Sequence, residues 1–600
     1  MHITKGLNFL LLTSLWALLG ESNFVAMAYE SDPRVVLGIG EVAGKLETFS
    51  SDFMKINRKV AVYQGIPYAE PPVGYRRFQP PAPVIPWEGI YEANDMPPGC
   101  PQVVPHHLKH LDAAEMTTEN CLFLNVFVPM PTPVNSSIMV YIHGGDLTWG
   151  SGLSYPADPL PLAAVGNVIL VTLNYRLGLF GFLSTGDEVI PPNLGLHDQR
   201  AALKWVHDNI EAFGGDPNKV TIFGNEAGAV SVGWHLLSPQ SRQFFQRVIL
   251  QSGNPLSDQM EFISPDEALR RANVTASLVG CSFAELERKD SLRKCLAETH
   301  VADLVTVGSQ MGTMLEVQRV WQPVLDNDFF PKPTRDLVQD GGFGDIDVII
   351  GMNKHEGTYD LYQLMDFPRE KPFINRRTFE TLARKLDLEK FEMDILTLLY
   401  VKENFRFDNE NDYFDALSGI LTDTKYTCNV REFAWMLQTA GCKVYMYELT
   451  HDPQSQSVLK FLWSSAGHME DLKYVFGLPF QTDLPFQIPE EERLISAHFM
   501  RLWTNFARTG DPNISGDPKQ PLSKLPVWQE YSNINEDYKK MESTLPNGHH
   551  LQTKECYTWQ NVLPKLRAEM AELKTLRSLS GETKASADQN KMKEKEHDEL

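Results

Sequence analysis

The chain has 600 residues, 42% of them apolar and 10% aromatic, enough to bury a large core, and it carries a formal net charge of −22. That charge excludes nucleic acid and anionic membrane surfaces as expected partners, because both call for basic patches. No repeat at a period of roughly 20–50 residues is visible, which sets aside solenoids and propellers.

From the N-terminus, residues 1–28 combine Lys5, the apolar run "LNFLLLTSLWALLG" and Ala26-Met27-Ala28, the pattern of a secretory signal peptide cleaved after Ala28. At roughly 14 residues the run falls short of the ~20 that span a bilayer. No later stretch reaches that length, so no membrane span is expected. Residues 29–560 make up the body of the chain. In it the runs "IMVYIHGG", "VILVTLNY", "VTIFG", "RVILQSG", "DVIIGMN" and "KVYMYEL" read as strands buried on both faces. Between two of them, "DQRAALKWVHDNIEAFGG" sets Ala202, Val206, Ile210 and Phe213 at helical spacing, with Gly214-Gly215 as the stop. Such alternation predicts a mostly parallel sheet covered by helices, the α/β class. Residues 255–345 and 365–440 turn helical with long loops and read as insertions on that sheet. Residues 561–600 read as a C-terminal helix and polar tail. They end in His597-Asp598-Glu599-Leu600, a receptor-read signal for return to the endoplasmic reticulum.

The cysteines, Cys100, Cys121, Cys281, Cys295, Cys428, Cys442 and Cys556, suit an oxidising lumen; their odd number leaves one thiol over, and spacing alone leaves the pairing open. Asn135, Asn273 and Asn513 head N-x-S/T sequons and are expected glycosylation sites.

The stretch "VTIFGNEAGAVSV" carries the chemistry. A β-branched run stops at Gly224, and Asn225-Glu226-Ala227-Gly228 leads back into helix-forming residues, the setting of a nucleophile elbow. An elbow of type G-x-S-x-G holds serine at its centre; here the centre is Glu226. Ser231, in "AVSVG", falls well inside the following helix and reads as structural.

"VYQGIPYAEPPVGYRRFQPP", "ENCLFLNVFVP", "VYIHGG", "VTLNYRLGLFGFL", "NLGLHDQRAALKWVHDNIEAFGGDPNKVTIFG", "LQSGNP" and "GHMEDLKYVFGLP" together resemble the type-B carboxylesterase and cholinesterase family over roughly residues 35–560. The resemblance implies that residues 29–560 form one large domain of α/β-hydrolase fold, with disulfides Cys100–Cys121, Cys281–Cys295 and Cys428–Cys556, and a free Cys442 that reads as a small buried hydrophobe. It implies that Glu356 and His468 stand at the acid and histidine of a catalytic triad, where the histidine moves the nucleophile's proton and the carboxylate holds its tautomer. It also assigns the oxyanion hole to Gly144, Gly145 and Ala227. Where the family has a third glycine this chain has Asp146, whose carboxylate either crowds the hole with the wrong sign of charge or turns away. Where the family reads G-E-S-A-G, Asn225 and Glu226 take the two central places.

Two functions follow from that. In the first, the nucleophile is lost, Glu226 forms an ion pair with His468, and the protein binds a lumenal protein or an apolar ligand without hydrolysing it. In the second, Glu226 is itself a nucleophile toward esters or epoxides, as aspartate is in some hydrolases of this fold, although its extra methylene displaces the attacking oxygen. No cofactor or metal is implied. A cholinesterase role is disfavoured because residues 101–120 contain no aromatic platform for a quaternary ammonium group.

Overall fold

The computed structural model describes residues 32–576 except 112–115, 133, 258, 259, 261, 282–288, 316–318, 367, 369, 402–412, 460–465, 482, 483 and 516–525. The expected signal peptide at residues 1–28 and the terminal residues 597–600 lie outside the described residues.

The chain is organised around an 11-stranded sheet. In spatial order its strands are Asn547–His549, Asp537–Met541, Val444–Leu449, Asp347–Asn353, Arg247–Gln251, Gly215–Asn225, Ser136–Ile142, Ile169–Leu173, Phe123–Pro129, Ile56–Pro67 and Lys45–Ser51. Pairing is parallel from Asp537–Met541 through to Ile169–Leu173 and antiparallel at both flanks. This is the mostly parallel sheet of the α/β-hydrolase expectation. A small separate sheet joins Arg34–Leu37, Gly40–Ala43 and Ile90–Glu92.

The continuous apolar strands explain themselves once the two faces are separated. Along Ser136–Ile142, Ile138, Val140 and Ile142 enter one core, while Met139 and Tyr141 enter the other. Val220 and Ile222 likewise oppose Phe223, and Val248 and Leu250 oppose Ile249. Successive side chains of a strand point to opposite faces, so a strand covered on both sides needs an apolar residue at every position. The first face is covered by helices Leu194–Asn209 and Ala227–Leu237, and the second by Pro159–Gly166 and Glu490–Thr509, whose Phe499, Trp503 and Phe506 are fully buried. Each such side chain contributes about 1.5–3 kcal/mol of burial.

The helical spacing read through Phe213 runs in two parts. The α-helix ends at Asn209, and Ile210–Phe213 continues as a 3₁₀ turn closed by Gly214 at φ 86°. The insertions are helical as expected: Pro265–Leu278, Val301–Leu315, Arg376–Lys385, Lys390–Tyr400 and Phe414–Thr422 are among them. The last three build a separate small core with Leu361 and Leu563. The cysteines pair as Cys100–Cys121, Cys281–Cys295 and Cys428–Cys556, and Cys442 is free and buried.

The fold delivers its loops to one edge. Ser136–Ile142, Gly215–Asn225, Asp347–Asn353 and Val444–Leu449 run parallel, and the segments leaving their C-terminal ends carry Gly145, Glu226, Glu356 and His468. That edge of an open α/β sheet is where ligands are received.

Candidate functional site

Strand Gly215–Asn225 turns sharply into helix Ala227–Leu237 with Glu226 at the apex, at φ 53° and ψ −122°. A non-glycine residue held there stores strain on the order of 1–3 kcal/mol. The turn is possible because the flanking glycines lie against backbone. A Cβ on Gly228 would meet Ile142 O at 2.1 Å, and one on Gly224 would meet the Gly228 carbonyl carbon at 2.5 Å.

The Glu226 side chain points into the neighbouring loop. Gly145 N–H donates to its Oε2 at 2.8 Å and Asp146 N–H donates to the same oxygen at 3.0 Å. Gly145 and Asp146 both sit at positive φ, 101° and 55°, which turns their successive N–H groups toward one point. Such nests bind anions. The loop donors are therefore Gly145 and Asp146, one residue later than the expected pair Gly144 and Gly145. Gly144 contributes by its lack of a side chain, since a Cβ there would lie 2.6 Å from Asn225 O. Ala227 opens the helix, so its N–H is among those with no acceptor inside the helix.

Glu356 and His468 meet as the resemblance implied. His468 Nδ1 lies 2.6 Å from Glu356 Oε2, and Glu356 Oε1 accepts from Ser252 Oγ at 2.5 Å and from Asn353 N–H at 2.8 Å. The two loops are stitched together by His355 N–H donating to Ala466 O at 2.9 Å. Burial presses His468 toward its neutral form, but the hydrogen bond and charge of Glu356, with the charge of Glu226 behind them, hold its pKa above the ordinary 6.5. Tyr359 stacks on the imidazole with ring centroids 5.4 Å apart, and Tyr426 leans on it at 5.5 Å.

The expected Glu226–His468 ion pair is not formed; among the described residues Glu226 takes part in no ion pair. The reason is competition for the carboxylate: two fixed amides offer Glu226 charge-assisted hydrogen bonds without ordering a second side chain. Asp146 turns its side chain away from the hole to pair with Arg319 Nε. Burial, opposed by Arg319 and reinforced by Glu226, raises the Asp146 carboxyl to about 6. Asn225 is buried, and among the described residues neither of its side-chain polar atoms has a hydrogen-bond partner. Ser231 is fully buried inside the helix, where Gln199 Nε2 approaches its Oγ at 3.4 Å.

These groups open onto a cavity of ≈ 430 Å³, lined among others by Glu226, His468, Tyr359, Tyr426, Arg319 and Lys425. Lys425 pairs with Asp360, so the wall alternates in charge. Arg319, Lys425 and Tyr426 escaped the sequence reading because they come from insertions with no motif of their own, while Tyr359 and Asp360 follow Glu356 on helix Gly357–Leu364, where nothing marked them as facing a cavity. Ser252 sits in "LQSGNP", where the motif itself was the available signal. Among the described residues no cluster of His, Cys, Asp or Glu is arranged to hold a metal.

Of the sequon residues, Asn135 is exposed and Asn273 half-buried. The Asn513 amide nitrogen donates to Asp511 Oδ1 at 2.8 Å and to Trp528 O at 3.0 Å, so the atom that a glycan would occupy already serves the fold.

The chain matches a family model described as the carboxylesterase family over residues 31–559. It is 35% identical over 523 residues to an acetylcholinesterase of Bungarus fasciatus, covering 84% of this chain and 83% of that protein. It is 33% identical over 555 residues to an acetylcholinesterase of Electrophorus electricus, covering 84% of this chain and 85% of that protein.

Proposed function

The chain belongs to the carboxylesterase family, and from that premise we propose that it is a lumenal member that does not hydrolyse esters and acts by binding a protein or an apolar ligand. One observation carries the reading: Glu226 Oε2 accepts from the N–H groups of Gly145 and Asp146. Acyl transfer needs such amides for the oxygen of its tetrahedral intermediate. A carboxylate already seated on them blocks that position and repels a second negative charge. Glu226 also occupies the apex where the resemblance puts serine, so His468 has no hydroxyl there to deprotonate. The names of the relatives point to choline esters, but the lack of an aromatic residue over 101–120 weighs against that substrate.

The test is direct. The purified protein is expected to hydrolyse p-nitrophenyl acetate no faster than its His468→Ala variant and to remain unlabelled by a fluorophosphonate. Glu226→Ser is expected to gain both labelling and turnover. Robust wild-type turnover that His468→Ala abolishes would overturn the reading.

A second reading draws on the same contact. With Oε2 anchored on two amides, Oε1 is left to attack a saturated carbon such as that of an epoxide. Tyr359 and Tyr426 line the same cavity, and burial raises both phenols and keeps them protonated as donors. Oxirane hydrolysis lost in both Glu226→Gln and His468→Ala would favour this reading over the first.

The endoplasmic-reticulum lumen is proposed from residues 1–28 and 597–600. The three disulfides support an oxidising compartment. Deleting residues 597–600 should send the protein into the medium; a truncated protein still retained would count against the proposal.

A further inference from the structure

Beside the cavity that holds Glu226 lies a second of ≈ 330 Å³, and both are within the size range of small-molecule sites. The two share Pro105, Asp146, Thr148 and Arg319 in their walls, so the Asp146–Arg319 ion pair lies where they adjoin. The chemistry on its two sides differs. The first cavity carries Glu226, Asp360, Lys425 and His468. The second is walled by Leu177, Leu179, Phe180, Leu304, Val320 and Trp321, with Gln102, Thr148 and Ser309 among them, and the charged groups on its wall among the described residues are Asp146 and Arg319.

Arg319 is incompletely used. A guanidinium offers five N–H donors in a planar fork. Among the described residues, Asp146 is the one acceptor that the Arg319 side chain meets, and it is met through Nε, leaving Nη1 and Nη2 without a partner. Arg319 lines the second chamber together with residues of helices Gly178–Phe182 and Val301–Leu315 and the Trp321 indole. A planar fork of this kind matches a carboxylate bidentately, and a tail attached to that carboxylate would find aliphatic and aromatic walls.

We propose that the second cavity is a binding site for an apolar monocarboxylate, a medium-chain fatty acid by chemistry, with its carboxylate on Nη1 and Nη2 of Arg319 and its chain between Leu304 and Trp321. The proposal names the ligand of a non-hydrolytic protein and rests on that reading. An anion would enter from the second cavity, because the Glu226 carboxylate, which no cation pairs among the described residues, opposes it from the first. The site differs from the elbow in needing neither Glu226 nor His468. Arg319 then bridges two carboxylates, Asp146 through Nε and the ligand through its outer edge, and the Asp146 contact holds the fork in place.

Decanoate, 1-decanol and decylamine share a chain and differ only in the head. Titration calorimetry with the full chain is expected to give decanoate at least about tenfold tighter than 1-decanol, the ratio that 1.4 kcal/mol of head-group interaction supplies, with decylamine weakest. Arg319→Gln should remove the preference for decanoate while leaving 1-decanol unchanged, and Arg319→Lys, a point charge without the fork, should restore it only in part. Gly308→Leu tests the chain site. Its Cβ would rest 3.4 Å from Leu179 Cβ and 3.8 Å from the Trp321 ring, in ordinary contact, and the remaining side chain would fill the chamber. It should weaken decanoate and 1-decanol alike, with thermal unfolding confirming that the variant is folded. Equal affinity for decanoate and 1-decanol, or a decanoate preference that survives Arg319→Gln, overturns the proposal. Turnover of p-nitrophenyl acetate in the same preparation separates the two ideas. Absence of both turnover and decanoate preference removes the ligand and leaves the non-hydrolytic reading. Turnover abolished by His468→Ala removes the non-hydrolytic reading on which the ligand proposal rests.

Discussion

Truncation of Glu226 to alanine would leave the N–H groups of Gly145 and Asp146 facing the cavity without their acceptor. Hydrogen bonds to a charged group are each worth about 1.5–3 kcal/mol net, partly recovered where water can enter. The vacated nest would keep its affinity for anions. Glu226→Ala is therefore expected to be less stable than wild type and to be restabilised by acetate in proportion to the logarithm of its concentration over its dissociation constant. The wild type, with its own carboxylate in place, should respond no more to acetate than to chloride. Urea unfolding across matched acetate and chloride series reads the difference; equal responses would mean that the amides form no anion seat. The identity of the apex residue was legible in "FGNEAG", whereas the direction of its carboxylate was not. Whether a glutamate reaches a histidine or a pair of amides is decided by ångström-scale placement of two loops that are far apart in sequence. Asp146 shows the same limit. Its charge was readable, but its ion pair with Arg319, 173 positions away, was not.

The catalytic-looking groups sit on elements that differ in how firmly they are built. The elbow is locked between two strands and a helix, while His468 rides on a loop held to the acid loop by the His355–Ala466 hydrogen bond and by Glu356 itself. That coupling has a sign that can be checked. His468 binds its proton more tightly in the folded protein than in the unfolded chain, because Glu356, with the charges of Glu226 and Asp360, outweighs burial. The resulting stabilisation is fully present below the ordinary value of 6.5 and is lost as the pH rises through the raised folded value. In Glu356→Gln the chief cause of the raise is gone, so the decline in unfolding free energy above pH 6.5 should flatten relative to wild type. Urea midpoints measured across that window test it, and parallel curves for the two proteins would sink it. At this scale strand and helix existence was largely legible, because a strand covered on both faces must be apolar throughout and a covering helix must repeat every three or four residues. The break of the helical pattern at Asn209 was not, since a 3₁₀ turn keeps nearly the same spacing of apolar residues.

For the molecule as a whole, the long motifs in order were enough to identify the sheet, the cysteine pairs and the two loops that bring Glu356 to His468. The cavity walls were not readable, because Lys425 and Tyr426 belong to an insertion whose helices pack by local volume and not by motif, and Tyr359 is turned toward the cavity by packing of the helix after Glu356. The Cys428–Cys556 bridge joins that insertion to the C-terminal segment. It lies one residue after the π-helical stretch Asp423–Thr427 that supplies Lys425 and Tyr426, and its far end leads into Leu563, part of the insertion core. It closes a separation of 128 residues, against 14 for Cys281–Cys295. If constraint of the unfolded chain dominates, loop-closure entropy at (3/2)RT times the logarithm of that ratio makes the longer bridge worth about 2 kcal/mol more. Cys428→Ser/Cys556→Ser should thus lose about 2 kcal/mol more unfolding free energy than Cys281→Ser/Cys295→Ser. It should also weaken any ligand of the Glu226 cavity, since one wall loses its anchor. An equal or smaller loss for the longer bridge, measured by urea unfolding of both double variants, would mean that the insertion is held by its own core and that the bridge does not brace the site.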